Sequence, residues 1–338
     1  MNRKPVSIRS FILIGTLLFT LYSLSFADFI CEQKINLKAG WNAIFLIVEP
    51  APPNPDVVFA DLPVDQVLSF FPKTSSVQFI KDPTEKEWHK TGWHRWMPKR
   101  FKESKFNDLY SLQANRCYLI FCTADYTWNL TGIPYATPQI WQPDSFNLVG
   151  FHVDPISPPT FAQYFEGSSA HADQIIYALN QNHWNRVEKP EEFLIQQDKA
   201  YWVWCDGMSH YQGPMEVLLP GSAGMMSYES AVSELNIKVI NRSSFPLSFT
   251  LSSAHDNLSV PLSLVSYSTT LQKITTPFSI YTPDVAIESG EYATVSLAIR
   301  RNDFNTEEVS DLLKLSDDMG NLMYIKVNAQ QLINDQSR

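Results

Sequence analysis

The stretch WNAIFLIVEP, from Trp41 to Pro50, decides the fold because the chain repeats it as FNLVGFHVDP, from Phe146 to Pro155. The two copies align without a gap. An aromatic residue and an asparagine open each copy, and valine, an acid and proline close it. A second pair of similar segments, YSLQANRCYLIFC (110–122) and FLIQQDKAYWVWC (193–205), follows in the same order. A repeated order of similar segments indicates a duplicated module.

Each repeated segment has the composition of a β-strand, with short runs of Val, Ile, Phe, Tyr and Trp bounded by Pro, Gly or Asn. After the opening strand, Asn54 or Asp56 in one copy and Thr160 in the other are suited to cap a short helix. We therefore predict two copies, over residues 32–136 and 137–220. Each copy is expected to contain about five short strands and one short helix.

Several residues recur at corresponding places of the two copies, which predicts that they belong to the scaffold. A Trp-x-Arg triplet precedes the closing strand in both copies, and each closing strand has a tyrosine near its start. The predicted scaffold set is Trp41, Trp93, Arg95, Tyr118, Trp184, Arg186 and Tyr201.

The C-terminal third differs from the repeats in composition. A run of small residues at 221–230 breaks the pattern and is interpreted as a linker. Beyond it, Trp and Cys are absent, and several segments alternate apolar and polar residues between turns. This alternation predicts an immunoglobulin-like β-sandwich over residues 231–332. The predicted fold class is thus mainly β, with two duplicated small β modules, each with a short helix, followed by this sandwich.

The repeat resembles the tandem Gly-Trp-Asn and Tyr-Trp-Val β modules of bacterial secreted and surface proteins, and the likeness spans residues 35–217. The segments that carry it are AGWNAIFLIVEP, HWNRV and KAYWVWC. The chain departs from the pattern where the glycine before the closing tyrosine is Cys117 or Ala200. The C-terminal domain is similar to the cysteine-free accessory sandwiches of bacterial secreted proteins. The resemblance implies a non-enzymatic extracellular protein with a role in adhesion or spacing.

Residues 1–27 are predicted to be a cleaved signal peptide. Basic residues precede a short apolar run that ends in Ser25-Phe26-Ala27, and the run is short for a bilayer span. We therefore expect a secreted, periplasmic or cell-surface protein with no membrane span after cleavage. The net charge of −9 argues against nucleic acid as a partner, because phosphate binding needs a basic face.

The four cysteines allow three full disulfide pairings. A bridge between Cys31 and Cys117 would tie the N-terminus to its own module, and buried free thiols are the alternative. The sequence contains neither Cys-x-x-Cys nor His-Glu-x-x-His, and no motif selects a nucleophile or a cofactor. We accordingly predict no metal, no cofactor and no catalytic residue.

Two insertions distinguish the first copy from the second, and they are the predicted ligand-binding regions. One carries Trp88, His89 and Lys90, and the other carries the basic run Lys99, Arg100 and Lys102. Loops added to a scaffold often hold binding residues. A tryptophan beside cations is suited to an acidic glycan or a partner protein. The alternative is a longer solvated hairpin with Trp88 packed on the module.

These features predict a non-catalytic binding, adhesion or surface-structural protein whose partner is a glycan or a surface protein. The alternative is a secreted carbohydrate-active hydrolase with a cleft between the two modules. Such an enzyme needs two acids about 5–10 Å apart across a groove. The geometry of that cleft is therefore the feature that separates the two hypotheses.

Overall fold

The computed structural model describes residues 30–71, 80–84, 92–135, 137–221, 224–255, 258–304 and 306–331. The predicted signal peptide lies outside these residues. The described strands form five sheets, and the two α-helices are short. None of the helices in the described ranges is long and apolar enough to cross a membrane.

The first module contains two sheets. Its strands are β1 (Cys31–Leu37), β2 (Gly40–Leu46), β3 (Val48–Pro50), β4 (Val64–Phe70), β5 (Trp93–Trp96), β6 (Arg116–Cys122) and β7 (Tyr126–Pro134). A four-stranded antiparallel sheet has the order β2-β6-β4-β5, and a three-stranded sheet has the order β1-β7-β3. The helix α1 (Pro55–Val58) follows β3, and the side chain of Asn54 caps it by accepting the N–H of Asp56.

The second module repeats the four-stranded sheet. Its elements are β8 (Ser145–Val149), α2 (Phe161–Phe165), β9 (Ile176–Asn180), β10 (His183–Arg186) and β11 (Tyr201–Cys205). The order β8-β11-β9-β10 matches β2-β6-β4-β5 strand for strand, and all pairs are antiparallel. Thr160 forms a capping box with Gln163 at the start of α2, as the sequence predicts for this cap.

An asparagine and a tyrosine in each copy explain why the repeated sequence produces the same sheet twice. Asn42 and Asn147 are buried, and each exchanges hydrogen bonds with the backbone of the loop before its strand. The hydroxyls of Tyr118 and Tyr201 each accept the backbone N–H of the glutamine five residues earlier. These side chains satisfy loop groups that the strands leave unpaired.

The C-terminal domain is a sandwich of two five-stranded sheets. Its strands are β12 (Met215–Leu218), β13 (Met225–Tyr228), β14 (Glu234–Asn241), β15 (Phe249–Ser253), β16 (Leu262–Tyr267), β17 (Lys273–Pro277), β18 (Ile280–Tyr281), β19 (Tyr292–Ile299), β20 (Glu308–Asp317) and β21 (Leu322–Gln330). The sheet orders are β12-β14-β19-β16-β17 and β13-β21-β20-β15-β18. The cores β12-β14-β19-β16 and β15-β20-β21 correspond to the ABED and CFG sheets of an immunoglobulin domain. The predicted fold class is therefore confirmed.

The predicted linker at 221–230 is wrong, as is the assignment of 215–218 to the second module. β12 pairs with β14, and β13 pairs in parallel with β21, so both strands belong to the sandwich. Met226 and Tyr228 are fully buried in the sandwich core, which explains why this segment pairs instead of spanning solvent. Between the two strands, Gly221 and Gly224 have positive φ of 81° and 65°, a conformation that glycine adopts readily.

The three domains contact one another through backbone as well as side chains. The edge of β2 is covered by the second module, where Phe45 N donates to Asp198 O and Ala200 N donates to Ala43 O, each at 3.1 Å. The turn between β20 and β21 contacts the second module, where Asp154 N donates to Gly320 O at 2.8 Å, and Leu322 N at the start of β21 donates to His152 O at 3.0 Å. These contacts cover sheet edges that would otherwise be open.

All four cysteines are free thiols, so the predicted bridge between Cys31 and Cys117 is not formed. Cys31 lies in β1 opposite Gly132, whereas Cys117 lies opposite Phe45 in the other sheet of the module. Burial raises the pKa of Cys31, Cys122 and Cys205 to about 11 and also raises the pKa of Cys117. The thiols are therefore protonated at neutral pH. Cys117, Cys122 and Cys205 are buried free thiols, as the alternative prediction stated, and Cys31 is half-buried.

Candidate functional site

The first predicted ligand-binding residues, Trp88, His89 and Lys90, lie outside the described residues. The second group lies on the loop after β5, close to α1. Lys99 Nζ is 3.0 Å from Asp56 Oδ2, and Arg100 pairs with Asp65. Lys102 begins a short 3-10 helix and is exposed, with no ion-pair partner within the described chain. Two of the three predicted cations are thus already paired with carboxylates of their own module.

Asp56 connects this basic loop to the module. Its carboxylate accepts the indole N–H of Trp96 at 2.8 Å in addition to the contact with Lys99. These two hydrogen bonds lower the pKa of Asp56. The side chain of Lys99 is 84% exposed, so its pair with Asp56 contributes at most about 1 kcal/mol.

The two modules form a groove between them, which is the second candidate site. The two-residue turn Gln181-Asn182 between β9 and β10 has positive φ at both positions, 49° and 68°, as a type I′ hairpin turn requires. Asn182 Oδ1 accepts the backbone N–H of Trp41. A Cβ at Gly40 would lie 2.3 Å from that same oxygen, so only glycine permits this approach. The tip of the second module is thereby held against the opening strand of the first.

The groove has a volume of about 710 Å³, within the range of about 300–1,000 Å³ that is typical of ligand sites. Trp41 lines it from the first module and packs edge-on against Phe121, with ring centroids 5.3 Å apart. The second module contributes exposed polar side chains, which are those of Asn180, Gln181, Asn185, Arg186 and Gln196.

Arg186 and Arg95 occupy matching positions in the repeat but have different surroundings. The guanidinium of Arg95 lies over the ring of Phe106 at 5.7 Å, and its Nε donates to the carbonyl of the same residue. Arg186 is exposed on the groove and has no ion-pair or hydrogen-bond partner among the residues that the structure describes. The prediction of a scaffold role fits the contacts of Arg95, whereas Arg186 is placed to contact a ligand.

The other cations of the groove already have anionic neighbours. The pairs are Lys38 with Asp125 at 2.9 Å, Lys189 with Glu192 at 2.8 Å and Lys199 with Asp198 at 3.6 Å. These exposed pairs are weak, and each contributes at most about 1 kcal/mol. Arg186 is therefore the cation of the groove that is most available to a ligand.

The carboxylates of the groove do not face each other across it. Glu188 and Glu192 line it, and both belong to the loop after β10 in the second module. The described lining residues of the first module, Lys38 and 41–43, include no acid. Within the described ranges, no group of three His, Cys, Asp or Glu side chains could hold a metal ion.

Two of the three predicted scaffold tryptophans, Trp93 and Trp184, pack on the buried ring of Trp202 and do not line the groove. The ring centroid of Trp202 is 6.4 Å from Trp93, 6.1 Å from Trp184 and 6.2 Å from Phe70. Tyr118 and Tyr201 are buried, as their hydrogen bonds to loop backbone require. Trp41 has both roles, because it packs on the module and also lines the groove.

The polar residues of the groove escaped prediction from sequence. Asn180, Gln181 and Gln196 belong to a hairpin and a loop of the second copy, which has the shorter loops. The Gln181-Asn182 turn lacks the glycine that marks the usual two-residue hairpin pairs, and only the docking of its tip on Gly40 creates the groove. The arrangement of the Trp41 ring, several amides and one guanidinium can bind a sugar, whose C–H face stacks on the ring while its hydroxyls pair with the amides.

Comparisons with known protein families and with curated proteins found no match. Among solved structures, the ASH/PapD-like domain of human CEP192 is 11% identical, with a TM-score of 0.21 over 35% of this chain and 84% of that domain. The CupB2 chaperone of Pseudomonas aeruginosa is 12% identical, with a TM-score of 0.22 over 35% of this chain and 57% of the chaperone. A FixG-related protein from Vibrio parahaemolyticus is 16% identical, with a TM-score of 0.21 over 35% of this chain and 94% of that protein. TM-scores this low support no statement about function.

Proposed function

We propose that the chain is an exported, non-catalytic binding protein that recognises a carbohydrate chain in the groove between its two β modules. The observation that carries this proposal is the convergence of Trp41, exposed amides and the unpaired Arg186 on one groove of about 710 Å³. The groove is open, as a site for a polymer must be. Export is supported by the basic and apolar pattern of the N-terminus.

Non-catalytic binding is preferred because the carboxylates of the described groove come from one loop. Glycoside hydrolysis needs an acid on each side of the scissile bond. Glu192 Oε1 also lies 2.8 Å from Lys189 Nζ, so one of the two candidate acids is already in an ion pair. Amides and an aromatic ring, by contrast, are sufficient for binding.

The test is binding of the full chain to a panel of neutral and acidic polysaccharides, on a glycan array and by affinity electrophoresis. Arg186→Ala removes a charged hydrogen-bond donor and is expected to weaken binding about tenfold. Trp41→Leu is expected to remove the stacking surface and weaken binding by a similar factor. Arg95→Ala, at the matching position of the other copy, is the control and should bind as the wild type does.

Three results would contradict the proposal or redirect it. Absence of any bound glycan, or equal binding by all three variants, would overturn the groove as the site. Loss of binding in Trp88→Ala, with the groove variants unaffected, would favour the insertions of the first module instead. Release of reducing ends from a polysaccharide, abolished by Glu188→Gln, would favour the hydrolase.

A further inference from the structure

Each four-stranded module sheet has two edges, and three of these four edges are covered by another part of the chain. The edge of β2 bonds to Asp198 and Ala200. On β8, Phe146 N donates to Ile80 O at 2.8 Å. The edge of β5 is covered by residues 107–109. The fourth edge, that of β10, has no such cover within the described part of the chain.

The cover of β5 belongs to the insertion that follows this strand in the first module. Phe71 N donates to Gly92 O at 2.7 Å, and bonded and unbonded pairs alternate along an antiparallel ladder, so the backbone of Arg95 faces away from β4. Asp108 Oδ1 accepts the N–H of Arg95 at 2.7 Å. The N–H groups of Asp108 and Leu109 both donate to the carbonyl of Arg95, each at 3.0 Å. The outer backbone groups of Arg95 are therefore all paired.

Neighbouring side chains complete this cover. Asn107 accepts the N–H of Met97 at 3.0 Å and donates to its carbonyl at 2.8 Å. The guanidinium of Arg95 lies 5.7 Å from the ring centroid of Phe106, and Leu109 is 3% exposed. An aromatic-Asn-Asp-Leu segment thus binds the edge of β5 through backbone bonds, an asparagine, a cation–π contact and a buried apolar side chain.

The corresponding edge of β10 has the same backbone arrangement without the covering segment. Val187 N donates to Ile176 O at 2.8 Å, so the same alternation turns the backbone of Trp184 and Arg186 away from β9. The N–H and carbonyl groups of these two residues have no hydrogen-bond partner among the residues that the structure describes. Arg186 is exposed, and the second copy lacks the insertion that covers β5. The edge of β10 therefore presents open donors and acceptors beside the exposed guanidinium of Arg186.

We propose that the open edge of β10 binds a segment of a partner protein in which an aromatic residue is followed by Asn, Asp and an apolar residue. The segment would pair with the backbone of Arg186 as residues 106–109 pair with Arg95, and its aromatic ring would lie under the guanidinium. A second copy of the chain is a poorer occupant, because its own residues 106–109 already cover its own β5. The proposal does not rest on carbohydrate binding, since it uses the backbone of a sheet edge.

The probe is the peptide KFNDLY with both ends capped, which has the sequence of residues 105–110. Fluorescence anisotropy of the labelled peptide with the full chain should show saturable one-to-one binding. The matched control is the same peptide with N-methyl groups on the aspartate and leucine nitrogens. It keeps every side chain but cannot donate to the carbonyl of Arg186, so it should bind at least about tenfold more weakly.

Two variants of Arg186 separate the backbone from the side chain. Arg186→Pro removes the outer N–H of β10, and an edge strand accepts proline where its N–H faces away from the sheet. This variant should abolish peptide binding. Arg186→Ala keeps the backbone groups and should weaken binding only about threefold, through the lost cation–π contact. Trp41→Leu, which removes the stacking surface proposed for a sugar, should bind the peptide as the wild type does, so the two proposals can fail separately.

Absence of saturable peptide binding, or equal binding of the methylated peptide, would overturn the proposal. Undiminished binding by Arg186→Pro would overturn β10 as the site. Self-association of the wild type that Arg186→Pro abolishes would show a second copy on the edge and overturn the assignment to a different protein. Should Arg186→Pro fail to fold, amide hydrogen exchange of Arg186 in the wild type replaces it. That exchange should slow when the peptide is added, and an unchanged rate would also overturn β10 as the site.

Discussion

The buried asparagine in the opening strand of each module is the position at which the repeated architecture can be tested most directly. Asn147 accepts the N–H of Gln142 at 2.7 Å and donates to the carbonyls of Gln142 and Ser145, each at 3.0 Å. Asn42 makes the corresponding bonds to Lys38 and Gly40, at 2.8, 2.7 and 3.0 Å. Both side chains are more than nine-tenths buried.

Replacement of either asparagine by alanine removes the three bonds that the two copies share and leaves loop backbone groups without partners. Asn42 also loses a longer bond of 3.4 Å to the carbonyl of Ile120. Each bond has a net value of about 1 kcal/mol, so Asn42→Ala and Asn147→Ala should each cost about 3 kcal/mol of unfolding free energy. That is a large share of the roughly 5–15 kcal/mol that stabilises a typical domain. Because the two bonding patterns match, the two losses should agree within about 1 kcal/mol.

Urea unfolding followed by tryptophan fluorescence is the appropriate assay. All nine tryptophans precede residue 205, so the signal reports on the two modules and not on the sandwich. Asn236→Ala, at an exposed position of β14, is the control and should leave the transition unchanged. A loss below about 1 kcal/mol in either variant, or a loss equal to that of Asn236→Ala, would refute this account of the opening strand.

Two further predictions concern single groups. Tyr118→Phe and Tyr201→Phe each remove a hydroxyl that accepts a loop N–H, so each should lower the unfolding free energy by about 1 kcal/mol in the same assay. Clearly different losses of unfolding free energy in the two variants would contradict equivalent roles for the two hydroxyls. The lowered pKa of His152, about 4, means that the unfolded chain binds a proton more readily than the folded chain between its ordinary pKa of about 6.5 and 4. The unfolding free energy should therefore fall as the pH falls through that window. A series of thermal melts at different pH should show a smaller fall of the melting temperature in His152→Gln than in the wild type. Identical pH profiles of the two proteins would refute the role of this ring.

The sequence predicted strands well where apolar and polar residues alternate over enough positions. The alternating segment ELNIKVIN, for example, forms β14, and its apolar residues face one core. β17 was missed because all five of its residues are exposed and give no alternating pattern. β13 was missed because its four residues follow a run of small residues that is typical of a linker.

The residues of the candidate site were harder to predict from the sequence than the fold. The predicted basic loop supplies Lys99 and Arg100, which pair with carboxylates of their own module. The groove residue Arg186 was predicted as scaffold because it matches Arg95 in the repeat. Only the packing of the two copies reveals that one arginine lies on a phenylalanine ring and the other on an open groove.

The sequence by itself determined the duplicated module and those strands whose apolar and polar residues alternate clearly. The residues that build each module, such as Asn42 with Lys38 and Tyr118 with Gln113, are four or five positions apart and recur in both copies. The tertiary structure alone decided how the three domains meet. The hairpin tip at Asn182 contacts Gly40 across more than 140 positions of chain, and such long-range packing leaves no periodic signal in the sequence. The groove between the two modules is a product of that packing.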